Sequence, residues 1–138
     1  MVKRYYERVW TDWYSGIPAV DKALLLITPC DYSASYSPSR NLIVIPVPEG
    51  NLEDADILDE EGWPIWKIDL IHEMLHEWQK KQPSISTPGS KLLYAKYGTA
   101  ASCGEGHGPD FFQAIQEKAP YFHMTPEQLS EQIGSSAF

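Results

Sequence analysis

Residues 72 to 76 read His72-Glu73-Met74-Leu75-His76. Two histidines four apart on a helix lie one above the other on a single face, so both imidazoles can reach one tetrahedral zinc at about 2.0–2.1 Å. Glu73 stands beside them, placed to take a proton from a water that the metal makes acidic near neutral pH. With four histidines and 138 residues, the pattern arises by chance in roughly one chain per hundred of this composition. The plain alternative is a histidine pair on a half-buried helix face, with Glu73 solvated or paired to Lys80 or Lys81. Asp69, three residues before His72, is within reach of its ring, either as a carboxylate behind the ligand or as an ordinary solvent-facing acid.

A catalytic zinc takes three protein ligands and keeps one position open, so a third donor must come from elsewhere. Glu77-Trp78-Gln79-Lys80-Lys81-Gln82 follows His76 and excludes the compact HExxHxxGxxH arrangement. The downstream donors are His107, His123, Glu105 and Asp110. His107, between Gly106 and Gly108 and just ahead of a helix start, is the expected third ligand, since glycines let the backbone come close to a metal. His123 sits in an aromatic segment, where a buried histidine bonded to backbone is expected. Cys103, four residues before His107, would close the open position if its thiolate reached the metal, although a small buried thiol is the ordinary reading.

The elements that must position these groups follow from periodicity. Ile65, Ile68, Ile71, Leu75 and Trp78 recur at three and four residues between Pro64 and Pro83, which predicts a central helix from about Pro64 to Gln82. Val2, Tyr5, Tyr6, Val9, Trp10 and Trp13 predict an amphipathic first helix over Val2–Tyr14. Ala23 to Thr28 reads as a buried strand, and Ser33 to Arg40 as turn material. Asn41 to Val47 reads as a second strand, and Pro46 and Pro48 place it at a sheet edge because proline cannot donate to a ladder. An extended peptide could add to that edge, making Asn41, Ile43 and Ile45 candidate substrate contacts. Tyr94 or Tyr97 could supply a hydrogen bond to an oxyanion, with Tyr97 retained as a candidate contact. Ser90 to Tyr97 reads as a short helix, Gly98 to Gly108 as irregular, Pro109 as a helix start, and Thr125-Pro126-Glu127-Gln128 as the capped start of a last helix.

One domain over residues 1–138 fits the length, with 12% aromatic residues supplying a core. The longest apolar run, Ala23 to Ile27, is far short of a bilayer span, and no apolar stretch follows Met1–Arg8, so no membrane association and a cytoplasmic location are expected. Cys30 and Cys103 read as reduced thiols. The formal charge of −8 argues against a surface that grips phosphate backbones. Residues 49–61 carry seven acids and no base, whereas residues 78–104 carry Lys80, Lys81, Lys91 and Lys96 and no acid. DNA binding is therefore expected to be weak or absent.

His72-Glu73-Met74-Leu75-His76 followed by His107-Gly108-Pro109-Asp110-Phe111 resembles the HExxH and HGxxF pair of SprT-like metallopeptidases, the group that includes the Spartan DNA-protein crosslink proteases. The resemblance covers residues 1 to 120 in layout and ten residues in strict motif. It implies an α+β, minimal zincin-like fold, a small mixed sheet packed on an N-terminal helix and the active-site helix. It further implies one Zn2+ per chain held by His72, His76 and His107, Glu73 as general base, Phe111 packed beneath the site, and a protein or peptide substrate. The cysteine zinc ribbon and the DNA-binding segments of those families have no counterpart in these residues. The alternative reading is a zinc-stabilised, catalytically silent binding module of the kind a phage or mobile element carries, and an intact Glu73 favours the enzyme.

Overall fold

The computed structural model describes residues 2–28, 33–46, 63–98 and 107–137. Val47, Glu105, both cysteines and the acidic run 49–61 lie outside them. The architecture is α+β: helices α1 (Val2–Tyr14), α2 (Ile65–Lys81), α3 (Pro88–Leu93), α4 (Pro109–Lys118) and α5 (Pro126–Ala137), and strands β1 (Leu24–Thr28), β2 (Ser35–Ser37) and β3 (Leu42–Pro46). The chain groups into two compact units, Met1–Glu73 and Met74–Phe138, dividing inside α2. Among the described residues no helix is long and apolar enough to cross a membrane.

In the first unit α1 buries Val2, Tyr6, Val9, Trp13 and Tyr14, the one-sided stripe its spacing predicts. The buried Tyr6 hydroxyl is satisfied by donating to the Ala23 carbonyl at 2.9 Å, just ahead of β1. The sheet order is β1-β3-β2. Leu24–Thr28 runs parallel to Leu42–Pro46, and Ser35–Ser37 runs antiparallel to Leu42–Val44. Asn41 opens β3 in the left-handed region, at φ 49°, which asparagine tolerates better than most residues. Its side-chain amide donates to the Asp21 and Lys22 carbonyls at 3.4 Å each, and its carbonyl accepts from Leu24 N.

Two expectations are corrected here. Ser33–Arg40 is not all turn, because Ser35-Tyr36-Ser37 pairs with β3: a partner strand overrides weak local preference. The segment from Asn41 is not an edge, because β3 lies between β1 and β2. Pro46 is tolerated there since β2 reaches only as far as Val44. Ile43 and Ile45 are fully buried, so they are core residues and not substrate contacts, and Asn41 is a turn residue that sets where the strand begins.

In the second unit α3 packs on α4, and α5 packs on both. Thr87 caps α3 through a reciprocal box with Ser90, with Pro88 opening the helix. The helix then widens into a π-helical turn, Tyr94–Gly98, where an ordinary short helix was expected. A Cβ at Gly98 would run into the Tyr94 ring and lie 3.0 Å from Phe112, so only glycine lets this turn close against α4. Thr125 and Gln128 form the expected capping pair of α5.

Candidate metal centre

Helix α2 is buried on most of its circumference: Trp66, Ile68, Leu70, Ile71, Met74, Leu75 and Trp78 are core residues, and His72 and Glu73 are buried with them. Apolar packing on several sides fixes the helix, and Lys80 and Lys81 in its last turn complement the negative end of its dipole. His72 and His76 are thereby held one turn apart on a rigid element.

His107 reaches the same helix from the segment preceding α4. The end of α2 and the connection after it are tied to α4 along its length. Trp78 Nε1 donates to Glu117 Oε2 at 3.1 Å, Ser84 donates to the same oxygen at 3.1 Å, Thr87 Oγ1 donates to Gln113 at 3.0 Å, and Ser86 donates to Asp110 at 2.7 Å. The Lys118 ammonium lies 3.5 Å over the Trp78 ring. These ties return the chain to His76 across the 30 residues that separate it from His107.

His72, His76 and His107 form a group able to hold a metal ion, with ligand atoms all within 4.8 Å of one another. His76 Nε2 and His107 Nε2 are 3.1 Å apart, close to the roughly 3.3 Å that separates two nitrogens bound at about 2.0–2.1 Å to a tetrahedral ion. Phe111, fully buried, packs against both rings, with centroids 4.4 Å from His76 and 5.0 Å from His107.

The electrostatics suit a metal. Burial, aided by His107, pushes the His76 imidazole down to about 3, against weaker upward pull from Gln79, so the ring is neutral and in the form that binds metal. Burial pushes the Glu73 carboxyl up to about 8, with Asp69 adding like-charge repulsion. A nearby cation would reverse that preference and release the proton. Three imidazole nitrogen donors beside a buried acid fit a zinc-type ion.

The other candidates fall elsewhere. Lys81 is paired with the buried Glu77 at 2.6 Å, not with Glu73. Asp110 is exposed and bonded to Ser86. His123 is exposed, not buried as expected, because it ends a 3-10 turn at Ala119–Phe122 in the left-handed region at φ 58°. A Cβ at Gly108 would meet nothing within 4 Å and its φ is −83°, so close packing does not explain that glycine. The Tyr97 hydroxyl donates to Glu131 at 3.1 Å, and Tyr94 packs edge-on against Phe112. Compared with known proteins, the chain matches no family model, no curated protein and no solved structure.

Proposed function

We propose that this chain is a zinc-dependent metallopeptidase of the SprT-like kind, with a minimal zincin-like fold, acting on a protein or peptide substrate. The observation that carries the reading is the approach of His107 Nε2 to within 3.1 Å of His76 Nε2, from a motif 30 residues away, beside an HExxH helix whose glutamate is buried. The α+β layout, with a first helix, a small mixed sheet, the motif helix and a later helix after the third histidine, supports it.

In this reading His72, His76 and His107 hold one zinc per chain. The bound metal would supply a Lewis acid that polarises the scissile carbonyl and acidifies water. Glu73 takes the proton from the attacking water and delivers it to the leaving amine, and its buried setting places its proton affinity near working pH, where such a group is most effective. Phe111 holds the two imidazoles of the second unit in register. The net charge of −8 favours a protein over a nucleic acid as the recognised partner.

Hydrolysis of an unfolded protein substrate by zinc-loaded chain tests this. Glu73→Gln should keep zinc and lose at least a hundredfold in rate, the lower range for a general base. Unchanged turnover removes Glu73 from the chemistry. A variant and wild type that both bind zinc and both lack hydrolysis favour the silent binding module.

A further inference from the structure

Among the described residues β1 pairs with β3 alone, which leaves its other edge open. Leu24 N donates to the Asn41 carbonyl, and backbone groups point to alternate sides along a strand. Leu24, Leu26 and Thr28 therefore direct their N–H and C=O groups to β3, while Leu25 and Ile27 direct theirs outward. The side chains divide in the same way. Leu24 and Leu26 stand on the sheet face of Leu42 and Val44 and are 73% and 47% exposed. Leu25 and Ile27 share the face of Ile43 and Ile45 and are only half-buried. Folded proteins protect an open edge with a charge, a proline or a bulge, and Leu24–Thr28 has none of these. Lys22, just ahead of it, is drawn toward α1 by Glu7 at 3.5 Å and lies 5.9 Å from the Trp10 ring centroid.

We propose that β1 is a self-association edge: two copies of this chain pair it antiparallel about a two-fold axis at Leu26, joining their sheets into one. In that register Leu25 lies opposite Ile27 of the second copy. Both turn their backbone groups outward, so the two residues exchange both N–H···O bonds. The Leu26 pair on the axis is then of the non-hydrogen-bonded kind, in which side chains come closest, and Leu24 reaches Leu26 of the second copy on the diagonal. Leu25 and Ile27 cover one another on the inner face. A shift of one residue would set outward groups against groups already given to β3. A shift of two would bring Ile27 opposite Ala23, whose carbonyl already accepts from the Tyr6 hydroxyl. The strand's own sequence thus satisfies every outward group, the self-complementarity that a two-fold contact requires. It is also uncharged, so two chains of net charge −8 meet without like charges at the contact. One pair of five-residue strands buries less than the roughly 1,200–2,000 Å² of a stable interface, so the dimer is reversible, with micromolar dissociation. The inference does not depend on the metal reading.

Sedimentation equilibrium of the full chain under reducing conditions, from low micromolar to near-millimolar concentration, tests it. Wild type should show a reversible monomer–dimer equilibrium. Leu26→Lys sets two ammonium groups against each other on the axis and should weaken it at least about tenfold. Ile27→Pro removes an outward N–H that β3 does not use, so it should keep the native circular dichroism spectrum and abolish the dimer. Leu92→Lys, at an exposed leucine of α3, should leave the equilibrium unchanged. In wild type, hydrogen exchange at the Leu25 and Ile27 amides should slow as concentration rises. A wild type monomeric throughout, with these amides exchanging fast at every concentration, overturns the proposal and leaves the edge to an extended segment of another protein. A dimer that survives both Leu26→Lys and Ile27→Pro overturns it as well, and places the contact elsewhere.

Discussion

Replacing Glu73 with glutamine should stabilise the metal-free protein at neutral pH. Glu73 is 5% exposed, and burial followed by repulsion from Asp69 lifts it from 4.5 to about 8. The folded chain therefore keeps a proton that the unfolded chain releases. Stability from this group is complete below the unfolded value of 4.5 and is lost as pH rises toward 8. At 1.36 kcal/mol per pH unit, the loss reaches about 3 kcal/mol by pH 7. Glutamine mimics the protonated acid and does not titrate, so the variant should match wild type near pH 4.5 and exceed it by about 3 kcal/mol at pH 7. His76, held at about 3, titrates with the opposite sign: its stability is lost as pH falls below 6.5. It is common to both proteins and cancels in the difference. Urea unfolding of chelator-treated protein between pH 4.5 and 8 reads the comparison. A difference that stays flat with pH, or a wild type more stable than the variant at pH 7, would refute the reasoning. Added zinc should flatten the wild-type slope, since a bound dication favours the carboxylate.

Other outcomes follow from the same structure. His107→Ala should cut zinc affinity sharply, whereas Asp110→Ala and His123→Ala should stay within about tenfold of wild type; zinc loss in Asp110→Ala instead would point to a carboxylate-liganded site. Gly98→Ala should destabilise the fold by about 1–3 kcal/mol in thermal or urea unfolding, because its methyl meets the Tyr94 and Phe112 rings. DNA binding should be micromolar or weaker at physiological salt and fall steeply as salt is added; nanomolar affinity lost on mutating Lys80, Lys81, Lys91 and Lys96 would contradict this.

What could be read in the sequence is what local spacing determines. The stripe of Val2, Tyr6, Val9 and Trp13, the α2 repeat between Pro64 and Pro83, and the Thr125–Gln128 cap each satisfy themselves within one element. So does the His72–His76 pair, since a helix alone sets its geometry. What was hidden depends on residues distant in sequence. Ser35-Tyr36-Ser37 becomes a strand only because β3 is there to pair with it. Pro46 suggested an edge, and the inference failed because β2 is too short to need the missing donor. The π-helical turn follows from Tyr94 and Phe112 meeting over Gly98. His123 looked buried among aromatics, yet the 3-10 turn before it needs a left-handed residue at that position. His107 was named by its motif, but its 3.1 Å approach to His76 depends on side-chain ties from Trp78, Ser84, Ser86 and Thr87 to α4 that no local pattern announces.

The measurement closest to the central claim is the zinc content of the purified, zinc-equilibrated chain. One zinc per chain in wild type, and none in the His72→Ala, His76→Ala double variant that still folds, is the result predicted. Full zinc occupancy in that double variant, or no zinc in wild type, would contradict the account.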